Sequence, residues 1–198
     1  MRRLVLASDN PGKLREFRQL CEPLGLTIIP QSEWGITGAE EPYCTFVENA
    51  LAKARHASRA SGLPAFADDS GICVAALGGA PGVRSARFAE VSGETQDARN
   101  NAKLIEMLVD KTDRSAHYTC VIVLVRHAGD PEPLIAEGRW EGEILAEPRG
   151  SGGFGYDPYF FVAALNQSAA ELPAHEKNRI SHRGKALARL AEKLGETD

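Results

Sequence analysis

No Cys-x-x-Cys pair occurs in this chain of 198 residues; Cys21, Cys44, Cys73 and Cys120 lie far apart. That spacing offers neither a zinc knuckle nor a disulfide framework, and it suits a reducing compartment where thiols act as small apolar side chains. Long apolar runs are missing as well. After Met1-Arg2-Arg3 the run Leu4 to Ala7 is cut off by Ser8-Asp9-Asn10, too short for a secretory leader, and no other stretch approaches a membrane span. A soluble, cytoplasmic protein is expected. Nor is there a basic excess: the net charge is −4, which speaks against a nucleic-acid binder with a face dense in Lys and Arg. A small polyanionic ligand stays admissible, because it needs only a few local cations. Repeats, low-complexity tracts and composition breaks are absent too, so residues 1–198 are expected to form one domain.

What is present is ordinary globular material, 43% hydrophobic and 25% charged. Leu4 to Ala7 reads as a buried strand and Ser8 to Lys13 as a polar turn opening a helix, whose face repeats through Leu14, Phe17 and Cys21. Thr27 to Pro30 suggests a second strand. Thr45-Phe46-Val47-Glu48 has the capping-box pattern, and its helix should run to Gly62 as a left-handed cap. Leu63 to Ala67 forms an apolar run ending in Asp68-Asp69-Ser70-Gly71, after which Ile72 to Leu77 returns as a strand. Thr95 to Val109 has helical spacing. Tyr118 to Val125, dense in β-branched residues, turns through Gly129-Asp130-Pro131 into Pro133 to Ile144. A strand at Tyr159 to Val162 and a closing helix through Leu187, Leu190 and Leu194 complete an α/β fold with a mixed sheet.

Four segments carry chemistry. Ser8-Asp9-Asn10-Pro11-Gly12-Lys13 sits between a strand and a helix, where free amide groups and the helix dipole favour phosphate oxygens. It is not a Walker A loop, since Leu14 stands where Ser or Thr would ligand magnesium. Glu40, Glu41, Asp68 and Asp69 form an acidic set of the kind Mg²⁺ takes together with phosphate oxygens and water. Neighbours on a strand point to opposite faces, so one of Asp68 and Asp69 faces the site and the other supports it; spacing leaves open which. Gly152-Gly153-Phe154-Gly155-Tyr156-Asp157-Pro158 offers aromatics flanked by glycines, a flat surface for a planar ligand. Glu176-Lys177-Asn178 and Ile180-Ser181-His182-Arg183-Gly184-Lys185 bring cations to a helix start, where the dipole repels them, a misfit that points to an anionic or carbonyl-bearing ligand.

Together with Thr45 to Ala50 and Gly78-Gly79-Ala80-Pro81-Gly82, these segments resemble the inosine triphosphate pyrophosphatase family essentially from end to end. The resemblance implies a curved mixed β-sheet with flanking helices, forming two lobes around an active-site cleft, and a homodimer that requires Mg²⁺. It implies hydrolysis of purine nucleoside triphosphates with non-standard bases (ITP, dITP, XTP) to the monophosphate and pyrophosphate. It carries triphosphate contacts onto Ser8, Asp9, Asn10, Pro11, Gly12 and Lys13, metal ligation onto Glu40 and Asp69, and the general base onto Asp69. Ser70, Phe154, Gly155, Tyr156, Asp157, Lys177, His182 and Arg183 become nucleotide contacts. Glu41 and Asp68, as adjacent acids, can exchange roles with Glu40 and Asp69. Many relatives read Thr-Gly at Ser8-Asp9, so the backbone of Asp9, not its side chain, is expected to face the phosphates.

Overall fold

Alternating side chains along β1 (Arg2–Leu6) send Leu4 and Leu6 into one core layer and Val5 into another. In the computed structural model, which describes residues 2–89 and 96–196, β1 pairs in parallel with β2 (Leu26–Pro30) and with β3 (Ala65–Val74). The seven-stranded sheet has the order β2-β1-β3-β4-β5-β6-β7, where β4 is Ser115–Val125, β5 Leu134–Ile144, β6 Phe160–Val162 and β7 Gln167–Ser168. The pairs β5–β6 and β6–β7 are antiparallel. The sheet is therefore mixed, and helices flank it, as expected from the sequence.

The chain divides into two compact units. One comprises Met1–Asp69, Cys120–Gly138 and Arg183–Asp198; the other comprises Ser70–Thr119 and Arg139–His182. In the first unit, α1 (Pro11–Cys21) and α5 (His182–Glu196) set Phe17, Leu187 and Leu190 against Leu4, Leu6, Phe66 and Ile122. On the opposite sheet face, α2 (Phe46–Ser61) packs Ala50, Ala54 and Ala57 against Val5, Ala65, Ala67 and Val123. In the second unit, α3 (Gln96–Met107) lays Leu104 beside Ile72, Val74, Tyr118, Trp140 and Phe160. The start of its expected span, Thr95, lies outside the described residues.

The ends of α2 follow the sequence. Thr45 Oγ1 accepts the Glu48 amide at 3.4 Å and Gly62 closes the helix at φ 69°. Glu48 answers by accepting the Thr45 hydroxyl rather than the backbone N–H of a standard capping box. Among the described residues, the short helix α4 (Ala174–Ile180) and the two-residue β7 were not expected, and Ala75–Leu77, expected to continue a strand, forms a 3-10 turn instead.

The main departure is β3. The sequence suggests a strand, a polar turn and a second strand; the structure has one strand running straight through Asp68-Asp69-Ser70-Gly71. Gly71 makes the passage possible, since a Cβ there would lie 2.3 Å from the Gly82 carbonyl oxygen and 2.5 Å from Ser85 Oγ.

The β4–β5 turn is locked by Asp130, which is fully buried and accepts Arg126 Nε at 2.9 Å, the Arg126 amide at 2.9 Å and the Glu132 amide at 3.0 Å. These bonds, those from Arg126 foremost, hold its carboxyl well below the usual carboxylate range. A depressed folded pKa contributes stability that is present above the unfolded value, about 3.9, and is lost as pH falls through the folded one. Asp130→Ala is therefore expected to lower Tm at pH 7 by about 3–10 °C, from ~1.5–3 kcal/mol of charged hydrogen bonding. Melts repeated down to about pH 2.5 should show the gap closing; a gap of constant size would show that the charge contributes nothing.

Candidate active site

The first loop forms because Asn10 caps α1, its Oδ1 accepting the Lys13 amide at 3.0 Å, with Pro11 in the first helical turn. Ser8 Oγ accepts the Asn10 amide at 3.3 Å. Gln31 donates to Asp9 Oδ2 at 2.5 Å, so the Asp9 side chain is taken up by its own scaffold. Gly12 is buried and Lys13 half-buried.

Strand alternation then sorts the acidic pair. Asp68 points to the α1 and α5 side, where Lys13 Nζ meets its Oδ2 at 2.8 Å and Arg183 Nε lies at 3.6 Å. Arg183 also donates to Glu16 at 2.8 Å. Burial pushes the Asp68 carboxyl up, but Lys13, Arg183 and Lys53 outweigh it and hold the group far below the usual range. Burial likewise works against the charge on Arg183, and Glu16 and Asp68 more than offset it. Both shifts favour the charged forms of Asp68 and Arg183.

Asp69 points the other way, toward α2. Its Oδ1 accepts Lys53 Nζ at 3.1 Å and its Oδ2 accepts Asn49 Nδ2 at 3.2 Å. Lys53 also reaches Glu41 Oε1 at 2.5 Å. Here burial is the larger influence: it lifts the Asp69 carboxyl above its ordinary value, with Lys53 and Lys13 opposing and Glu41 adding to the rise. Two adjacent carboxylates thus differ in environment, one held as an anion by the cations around it and one whose affinity for a proton is raised by burial.

Glu40 is exposed and has no hydrogen bond or ion pair among the described residues, whereas Glu41 shares Lys53 with Asp69. Among the described residues no three His, Cys, Asp or Glu side chains gather as a metal-binding group. Mg²⁺ itself seldom takes more than one or two carboxylates from a protein. Ser70 follows Asp69 along β3 and is half-buried.

The second unit holds the glycine-rich loop. Gly153 has φ 72°, and a Cβ there would sit 2.0 Å from Asp157 Oδ2. Asp157 accepts the Phe154 amide at 2.9 Å and Lys177 Nζ at 2.7 Å, and that ammonium lies 5.1 Å from the Phe154 ring centroid. Gly155 is gripped from α3: its N–H donates to Asp97 at 2.8 Å and its carbonyl accepts Asn101 Nδ2 at 2.9 Å. Tyr156 is a core residue, its hydroxyl donating to the Ser85 carbonyl at 2.8 Å, so Phe154 is the half-exposed aromatic of the pair. His182 opens α5 and stacks on Tyr118, rings 4.6 Å apart and 8° from parallel.

Sequence reading overlooked Lys53, Asn49, Glu16, Asp97, Asn101 and Tyr118. Lys53 left a signal, since it occupies a core position in the helical repeat Ala50, Ala54, Ala57, where a Lys belongs only if it is paired. Of the thiols, burial pushes Cys21 up to about 12 and Cys120 higher still and raises Cys73, while Cys44 is exposed.

The paired acids in mid-strand of an α/β sheet, each met by cations from its own face, mark the candidate site. The chain belongs to the Ham1 family, whose model matches residues 4–193. It is 64% identical over 195 residues to a dITP/XTP pyrophosphatase of Ralstonia nicotianae, covering 98% of this chain and 97% of that one. It is 61% identical to the protein of that name from Nitrosomonas europaea, covering all of this chain and 97% of that one. A solved HAM1 protein from Coxiella burnetii, 51% identical, superimposes with a TM-score of 0.90 over 99% of this chain and all of its own.

Proposed function

We propose that this chain hydrolyses purine nucleoside triphosphates bearing non-standard bases (ITP, dITP and XTP) to the monophosphate and pyrophosphate, removing them before they enter DNA or RNA. The observation that carries the reading is the division of labour between Asp68 and Asp69, in a member of a family with relatives named for this activity. Lys13, at the start of α1, and the amides of residues 8–13 would bind phosphate oxygens. Asp69, with its raised affinity for a proton, would take one from water as that oxygen attacks the α-phosphorus; the bond to the bridging oxygen breaks and pyrophosphate leaves. Phe154 would give the purine a planar face, with Lys177 held beside it. Ser70, Gly155, Tyr156, Asp157, His182 and Arg183 complete the proposed nucleotide contacts.

A divalent metal fits the residues present. Glu41 and Asp69 already converge on one cation, the Lys53 ammonium, so their oxygens are placed to share a positive charge. Asp69 with Glu41, or with Glu40 from the same loop, would hold Mg²⁺, which when bound neutralises phosphate charge and polarises the phosphoryl group. A homodimer in the cytoplasm belongs to the same reading; no helix among the described residues is long and apolar enough to cross a membrane. The test is a coupled pyrophosphate-release assay over a nucleotide panel, with and without chelator. Pyrophosphate from ITP and XTP in Mg²⁺ is the expected result; orthophosphate as the first product would make the chain a phosphatase instead.

A further inference from the structure

Asn49 is completely buried, near the start of α2, and no role attaches to it in the reaction above. Its carboxamide is used on every side. Oδ1 accepts the Tyr43 amide at 3.1 Å, while Nδ2 donates to the Tyr43 carbonyl at 3.2 Å and to Asp69 Oδ2 at 3.2 Å. The orientation of the amide is dictated by its partners: turned over, it would set an oxygen against two oxygens and an NH₂ against an N–H. One helical turn on, Lys53 holds the other Asp69 oxygen and reaches Glu41. The two carboxylate oxygens are thus fixed by separate residues of α2, and each of those residues also ties down the irregular segment 41–43. Asn49 does so through the backbone of Tyr43, in the manner of a strand partner.

We infer that Asn49 is a positioning residue for the reaction: it fixes the Asp69 carboxylate and docks the loop bearing Glu40 and Glu41 beside it. From 37 to 45 the loop is irregular and mostly exposed; besides Asn49 it is held by His56 at the Thr37 carbonyl and by Lys53 at Glu41, so losing Asn49 loosens the stretch around Tyr43 and with it the placement of the acids. Leu, Ala or Ser at this position cannot supply an acceptor and two donors together. Asp keeps the shape and the acceptor, but sets an anion against Asp69 and the Tyr43 carbonyl.

The inference rests on the proposed role of Asp69, and one set of measurements separates the two. In Asn49→Ala and in the near-isosteric Asn49→Asp, kcat for pyrophosphate release from ITP is expected to fall about 10–100-fold, the scale of a misplaced catalytic group, with KM within about threefold. In the metal-free, nucleotide-free protein, the Tyr43 amide is expected to exchange with deuterium at least about tenfold faster, while amides of β4 keep their protection. Unchanged kcat with faster Tyr43 exchange would reduce Asn49 to a loop anchor and overturn the inference. So would unchanged Tyr43 exchange, or protection lost evenly over the whole molecule. A parent enzyme that released no pyrophosphate from any purine triphosphate would instead remove the reading of Asp69 beneath it.

Discussion

Asp69→Asn is expected to lose about 10²–10⁴-fold in pyrophosphate release, the usual contribution of a positioned base, with the fold retained. The amide matches the carboxylate in shape, so the strand and the contact with Asn49 can persist. What disappears is the capacity to accept a proton and the negative charge that Lys53 and a metal would share with Glu41. Asp68→Asn is the informative partner. That carboxylate is fully enclosed and bound by Lys13 and Arg183, so its loss should release two cations from their positions and disturb phosphate binding and stability together. Titration gives an independent reading: in the metal-free protein, burial raises the Asp69 carboxyl, so an NMR titration without Mg²⁺ should show a carboxyl titrating above the range of a free aspartate that is missing in Asp69→Asn. Near-parental turnover in Asp69→Asn combined with a dead Asp68→Asn would exchange the two roles.

Why the sequence leaves the roles of Asp68 and Asp69 open is a matter of range. The helices and strands of the first 67 residues were legible because their signals are local: alternating Leu4, Val5 and Leu6, the Asn10 and Thr45 caps, the Gly62 terminus. A run of Asp-Asp-Ser-Gly is equally local evidence for a turn, since isolated strands disfavour such residues. It forms strand here because Lys13, Arg183, Lys53 and Asn49, from three helices distant in sequence, compensate both charges. The same reasoning covers Gly155, whose partners Asp97 and Asn101 lie more than fifty residues away on α3. Helix α4 escaped notice because it has seven residues and no side-chain cap at its start. The family motifs, by contrast, are legible as strings, and the proposed site residues come with them.

The unmodified protein is expected to show a kcat/KM for ITP far above that for ATP, by roughly 10⁴-fold, the scale reached when a polar site leaves groups unpaired against the wrong substrate. Inosine and xanthosine carry an oxygen at purine position 6, where adenosine carries an amine. In the segment entering α5 the Arg183 guanidinium can only donate, since it has no acceptor. Donors suit the oxygen and meet the amine with no bond to make. The structure adds a second possibility for Arg183, which is buried against Glu16 and Asp68 in the same cluster as Lys13. The two roles part company in Arg183→Ala. If the guanidinium reads the base, the ratio of ITP to ATP shrinks, because the ITP rate falls while the ATP rate stays low. If it serves to hold Asp68 and the phosphate cations, both rates fall in proportion and the ratio stands. Base reading is the expected outcome, so a ratio unchanged within about twofold would move Arg183 to the phosphate side. Comparable hydrolysis of ITP and ATP by the unmodified protein would remove base selection altogether and leave a general triphosphate hydrolase.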